Sequence, residues 1–180
     1  MHKELFQNIE IPEGVNVTID GARVVVEGKE GKNEREFNLA SLDLKKKDKE
    51  IILGSKKSSK NEKRRMNTIA AHIKNLIQGV QEKFEYKLKV CFSHFPITVE
   101  AKGNEALIKN FLGEKTPRKA KIPAGAEIKV DKDVITITAS NIETAGQAAA
   151  NLETATRISN KDRRVFQDGI FITSKCGEEI

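Results

Sequence analysis

Histidine and cysteine are the side chains best suited to bind a metal or to act as base or nucleophile, and the chain has three of one and two of the other. His2, His72 and His94 stand far apart, and none has a metal-ligand neighbour at a recognised spacing. His72 falls beside the apolar stripe of a predicted helix, where packing or exposure is the ordinary role. Cys91 falls in a predicted strand as a small core residue, and Cys176 falls in a carboxy-terminal tail. They form no C-x-x-C pair and no disulfide framework. No phosphate-loop or dinucleotide fingerprint is present. The expectation is therefore a chain that is not an enzyme, with no catalytic residue, no metal site, no cofactor and no small-molecule substrate.

Cations are the chemistry that the sequence does offer. Over 180 residues, 32 Lys+Arg stand against 26 Asp+Glu, for a net charge of +6 and a pI near 9.2. A polyanion is the first partner to consider. The charge is gathered in runs. Lys56 to Arg65 holds six basic residues and one acid; Lys115, Arg118, Lys119 and Lys121 form a second group beside Gly113 and Pro117. Arg157, Lys161, Arg163 and Arg164 form a third, and Lys45 to Lys49 a fourth that Asp48 and Glu50 dilute. Loops of this kind can follow phosphates while hairpins hold them in place. The turn residues around the second and third runs favour shaped loops over mere surface solvation. Gly28-Lys29-Glu30-Gly31 matches the G-x-x-G of one RNA-binding module, but that module needs the loop between helices. Here it joins strands, so a hairpin turn explains it. With eight Phe, one Tyr and no Trp, an aromatic base-stacking platform is not expected.

The elements that must carry these loops follow from periodicity. Val15, Val17 and Ile19 alternate with polar residues, and Arg23 to Glu27 returns as a second strand. Weaker strands are expected near Arg35 to Leu39 and Ile51 to Leu53. Met66, Ile69, Ala70, Ile73, Ile77 and Val80 then recur at helical spacing, with Asn61 a plausible cap or, alternatively, Lys56 to Arg65 mostly loop. The second half repeats the order. Tyr86, Leu88 and Val90 alternate in a strand that links the halves, and further strands are expected around Ile97 to Ala101, Ala106 to Ile108, Ile128 to Val130 and Val134 to Ile137. A helix follows from about Ile142 to Ile158, with Ala145, Ala148, Ala149 and Leu152 on one side.

Placing Val17 on Val99 also places Gly21 on Gly103 and Gly31 on Gly113; one inserted residue brings Asp48-Lys49 onto Asp131-Lys132. A competing register, Ile11-Pro12-Glu13-Gly14 on Ile122-Pro123-Ala124-Gly125, has sharper identities but misplaces the helices. The fold class is thus α+β, as two tandem related small domains, each an antiparallel-rich sheet packed with one helix. Expected boundaries are 1–83, 84–172 and a tail, 173–180. With 38% hydrophobic and 32% charged residues the chain can bury a core. No apolar stretch spans a membrane, and Met1-His2-Lys3-Glu4-Leu5-Phe6 has no cleavage signature, so a soluble cytoplasmic protein is expected.

Three segments carry a family resemblance: His94-Phe95-Pro96-Ile97, Asn110-Phe111-Leu112-Gly113-Glu114-Lys115, and Asn160 to Phe171. They resemble signatures of the large-subunit ribosomal protein six family (universal L-six, protein nine of eukaryotic large subunits), in its archaeal and eukaryotic type. Ile11-Pro12, the Val-rich hairpin and the Thr68 to Val80 helix are similar to it as well. The resemblance implies two related α+β domains and binding to large-subunit rRNA near the sarcin–ricin region, by the stalk base and the factor-binding site. Other large-subunit proteins near the stalk base would be neighbours. It implies principal RNA contacts from the second domain and its tail, here Lys115, Arg118, Lys119, Asn160, Lys161, Arg163 and Arg164. Phe166 and Ile170 match too, as packing that anchors the tail, with Asp168-Gly169 as a turn. The alternative is a protein–protein adaptor whose basic loops only solubilise it; a nucleic-acid-modifying enzyme is a further rival.

Overall fold

Alternation sets the first hairpin. In β2 (Asn16–Asp20) and β3 (Arg23–Gly28), Val17, Val24 and Val26 are buried while Asn16, Arg23 and Glu27 face solvent. Gly21, at φ +59°, takes the left-handed place in the turn between them. The structure is a computed structural model that describes residues 3–162 and 164–180. His2 and Arg163 therefore lie outside the described residues. The chain divides into two compact units, Met1–Lys83 and Phe84–Ile180.

The first unit adds β1 (Lys3–Glu10), β4 (Gly31–Glu36), β5 (Asp43–Lys47), β6 (Glu50–Ser58) and α1 (Lys60–Gln81). Two antiparallel three-stranded sheets result, in the orders β2-β3-β4 and β1-β6-β5. The helix buries Met66, Ile69, Ile73, Ile77 and Val80 against β3 and β6. It also begins earlier than periodicity predicts. Ser59, not Asn61, is the cap, and Glu62 closes a capping box on it, so most of the basic run is helix. The expected strand at Arg35 to Leu39 ends at Glu36, where the chain turns to bury Phe37. The G-x-x-G segment is the β3–β4 turn. A Cβ on Gly28 would lie 2.9 Å from the Val80 carbonyl oxygen, and Glu30 N–H donates to that carbonyl at 2.9 Å. Close approach to the helix end accounts for that glycine.

The second unit opens on β7 (Phe84–Cys91), which buries Phe84, Tyr86, Leu88 and Val90 and exposes Glu85, Lys87 and Lys89. It is no linker between halves. With β11 (Ala126–Asp131), β12 (Val134–Ala139), β13 (Gly169–Lys175) and β14 (Glu178–Glu179) it forms a five-stranded sheet, β11-β12-β7-β13-β14, of which it is the centre. A second sheet, β10-β9-β8, is built from β8 (Thr98–Lys102), β9 (Glu105–Lys109) and β10 (Arg118–Lys121). The helix α2 (Ile142–Ala155) buries Ala145, Ala148, Ala149 and Leu152. Residues 173–180, set apart in the sequence as a tail, instead finish β13 and its hairpin with β14.

The units repeat one plan. The order β1-β6-β5 returns as β7-β12-β11, and the second unit extends it with β13 and β14 on the other side of β7. Val17 and Val99 are both buried, and Gly21 and Gly103 share φ +59°. The later turn shifts by one: Asp48 (φ +48°) corresponds to Lys132 (φ +50°). Gly31 and Gly113 do not correspond in the ladder. Arg23 pairs with Glu36, thirteen residues on, whereas Glu105 pairs with Lys121, sixteen on. Three extra residues thus lengthen this turn in the second unit, and the loop they create carries Lys115.

Candidate nucleic-acid interface

Loop 110–117 is held in an unusual shape. Asn110 (φ +59°) and Leu112 (φ +49°) are left-handed without being glycine, and Gly113 follows at φ +77°. Such conformations persist only where surroundings impose them. Phe111, 1% exposed, pins the loop into the core. The Asn110 amide donates to the Pro96 carbonyl at 2.9 Å, and the Phe95 ring lies 3.4 Å from where a Gly113 Cβ would be.

Arg118 ties this loop to the end of α2. Its Nε and Nη2 donate to the two Glu114 carboxylate oxygens at 2.8 and 2.5 Å. Its Nη1 donates to the Ala155 and Arg157 carbonyls at 2.9 and 3.3 Å, and its guanidinium lies 4.3 Å from the centroid of the Phe111 ring. A planar fork with donors on both sides suits that task where lysine would not. The hydrogen bond from Arg118 is the chief reason that the Glu114 carboxyl is held below its ordinary pKa.

The loop after α2 is built on Asp168. That carboxylate, 1% exposed, accepts from Ser93 N–H (3.2 Å) and Oγ (2.8 Å) and from His94 N–H (3.2 Å) and Nδ1 (2.9 Å). Burial opposes its ionisation, but the His94 and Ser93 hydrogen bonds outweigh that and hold its pKa down at about 2. Ser93, His94 and Asp168 do not make a relay. Ser93 Oγ and Asp168 Oδ1 both sit on the same His94 nitrogen, Nδ1, whereas a nucleophile and an orienting acid need opposite nitrogens. The His94 ring stacks on Phe166 at 4.8 Å between centroids, and Lys161 Nζ lies 4.5 Å from the centroid of the Phe166 ring. Asp162 caps the turn, accepting from Arg164 N–H through Oδ1 and from Phe166 N–H through its carbonyl, both at 2.9 Å. Thr156 Oγ1 accepts from Ile170 N–H at 3.0 Å where the chain re-enters the core.

The three sequence motifs are therefore one network: the 94–97 segment braces the 110–115 loop through Phe95 and Pro96, and the 160–171 segment through His94. Lys115, Asn160 (φ +58°), Lys161 and Arg164 are exposed on these braced loops. Arg118 joins the loops but has most of its donors engaged within the unit. Lys119 does not share its direction: Arg118 and Ala120 face inward on β10 while Lys119 faces out, 3.8 Å from Glu105. Arg163 lies outside the described residues. Ser93, His94 and Asp168 are not recognisable as a hub from the sequence, because their spacing of some 75 residues leaves no local pattern. A cleft of about 890 Å³ opens beside the loops, lined by Phe92, Arg157, Arg164, Val165 and Phe171 among others.

A family model described as "Ribosomal protein L6" matches residues 11–83 and again residues 95–169, one segment in each unit. Three proteins named large ribosomal subunit protein uL6 are similar over nearly the whole chain. That of Sulfurisphaera tokodaii is 40% identical over 95% of this chain and 92% of its own length. Those of Methanobrevibacter smithii and Methanococcus vannielii are 44% and 41% identical, over 94% and 97% of this chain and 95% and 96% of their own.

Proposed function

The chain belongs to the ribosomal protein L6 family, and from that premise we propose that it holds folded large-subunit rRNA in place. It is a structural constituent of the large ribosomal subunit and not an enzyme. The second unit is the main RNA-binding module, and it seats near the stalk base and the factor-binding region, by the sarcin–ricin RNA.

One observation supports this reading above the others. Arg118 binds the 110–117 loop to the end of α2, so two basic runs distant in sequence become one rigid cationic end of the unit. Lys115, Lys161 and Arg164 stand out from it as phosphate ligands, and Arg163 adds to them in sequence. Braced loops lose little freedom on binding. Recognition is by backbone shape and ribose hydroxyls, as suits folded RNA with its shallow minor groove. Replacing Arg163 and Arg164 together by Ala is expected to weaken binding to in-vitro-transcribed large-subunit rRNA and to flatten its salt dependence by about one to two in slope. Unchanged affinity from 50 to 200 mM salt would remove the pair from the interface.

A second contact has its own support. Phe92, Val165 and Phe171 are 44%, 62% and 42% exposed around the cleft beside the loops. Apolar side chains left open together mark a protein neighbour, here another large-subunit protein near the stalk base. If the chain were an adaptor alone, Phe171→Ser would abolish its sedimentation with large subunits while the arginine pair would not.

A further inference from the structure

We propose that the outer face of α1, in the first unit, is a second and independent seat for an RNA sugar–phosphate strand. The helix is cleanly two-faced. Its apolar stripe is buried, and on the other side Lys60, Lys63, Arg64 and Asn67 are all exposed at spacings of three and four. They border a shallow groove of about 700 Å³ that His72 and Asn75 continue. Arg35 of β4 reaches the same stripe, its Nη1 donating to His72 Nδ1 at 3.3 Å.

The helix sets a single carboxylate against this charge. Glu62 is the single acid between residues 51 and 81, and its carboxylate is taken by the Ser59 hydroxyl and by Ser59 N–H at 2.8 Å. Lys60, Lys63 and Arg64 have no ion-pair partner among the described residues. In the hairpins of the same unit Arg23 is paired with Glu34 and Lys32 with Glu27. An exposed row of unpaired cations on a rigid helix calls for a polyanion.

RNA fits this row better than an acidic protein. A protein partner needs large apolar or aromatic anchors, and on this face the exposed hydrocarbon is the Ala71 methyl and the stems of the cations. Asn61, Asn67 and Thr68 are interleaved with the charges and can both donate and accept, which suits ribose hydroxyls as well as phosphate oxygens. Lys60 and Arg64 stand one turn apart, roughly 5.4 Å, and Asn67 continues the row with a neutral amide, a step that a strand of phosphates can follow.

The test uses the full chain and in-vitro-transcribed large-subunit rRNA, with affinity read across a salt series. The triple variant Lys60→Gln, Lys63→Gln, Arg64→Gln keeps good helix formers. It is expected to weaken binding about ten- to a hundredfold at 150 mM salt and to lower the salt slope by about two to three. Asn67→Glu, a single change on the same face, should weaken binding as well. A second triple, Lys115→Gln, Lys161→Gln, Arg164→Gln, tests the second unit separately. If that one is inert and the α1 triple is not, the reading of the second unit fails and this one stands. If the α1 triple and Asn67→Glu leave affinity and slope unchanged, the α1 seat does not exist. Lost binding to poly-L-glutamate with unchanged rRNA binding would make the face an acidic-protein site and overturn the proposal. Helicity by circular dichroism identifies a variant that unfolds, in which case Asn67→Glu decides.

Discussion

Asp168 shows how one buried side chain can hold together two segments far apart in sequence. Its carboxylate collects four donors from Ser93 and His94, all inside the protein. Its pKa in the folded state, about 2, lies below the ordinary 3.8, so it stabilises the fold. The gain is complete above pH 3.8 and disappears as pH falls through about 2, and linkage puts it at about 2 kcal/mol. Asp168→Asn should therefore lower stability at pH 7 by about that amount, and urea denaturation should show a flatter loss between pH 4 and 2 than in the parent. Equal pH profiles in that window would mean that Asp168 is not what titrates. The sequence presented this residue as half of an Asp-Gly turn, since local spacing cannot show partners 75 positions away. Arg118 was legible as a cation in a loop but not as the brace that it is, for the same reason: Ala155 and Arg157 lie 37 and 39 residues beyond it. Lys115, Lys161 and Arg164, whose exposure follows from their own chemistry, could be placed on the surface from sequence alone.

The start of α1 offers a local rule that can be checked at the scale of an element. Ser59 accepts from Asn61 N–H at 3.3 Å, and the Glu62 carboxylate returns to Ser59 N–H at 2.8 Å. Ser59→Ala should destabilise the first unit by about 1 kcal/mol, roughly 4–8 °C in midpoint for a unit of this size. Glu62→Ala should act through the same contacts, so the double variant should lose less than the sum. A fully additive cycle, measured by thermal denaturation, would show that the box is not coupled. The Ser-x-x-Glu signature stood in the sequence, but Lys56 and Lys57 before it and Lys63, Arg64 and Arg65 after it hid it inside a basic run that could equally be loop. β2, β3, β7 and β12 were legible because one face of each is buried and their side chains alternate. β1 was not, since Lys3–Glu10 takes its place from pairing with β6 along Ile9↔Ile51 and Leu5↔Ser55 and not from a pattern of its own. β13 was hidden likewise: Ile170 pairs with Val90 and Lys175 with Tyr86, on a strand more than seventy residues earlier.

The molecule as a whole is one plan used twice and then altered where the proposed RNA contact is made. The second copy gains three residues in the turn that carries Lys115 and two strands, β13 and β14, that follow the loop of Lys161 and Arg164. The faint internal repeat was legible because glycine at a left-handed turn leaves a mark in any register; the insertion was not, because gaps in weak repeats have no physical signature. Every residue of the second hydrophobic core, from Phe84 to Ile170, comes from the second unit. That unit should therefore fold as a fragment, 84–180, with a cooperative urea transition, and should bind large-subunit rRNA with the part of the salt slope that its own cations supply. Cutting at 172 is a different matter. Ser174 and Lys175 then no longer pair with Lys87 and Tyr86, and Glu85 loses the Cys176 N–H that reaches its carbonyl at 2.8 Å. The start of β7 is uncovered, and the strand that follows the loop of Asp168 is cut back to Gly169–Ile172, which keeps its pairing with Leu88 to Cys91. Fragment 84–172 should accordingly show a lower urea midpoint than 84–180 and a weaker hold on rRNA at every salt concentration, although no cationic residue of the proposed interface has been removed. Equal midpoints and equal affinities for the two fragments would mean that β14 and the end of β13 are dispensable, and that the loop is braced from Ser93 and His94 alone.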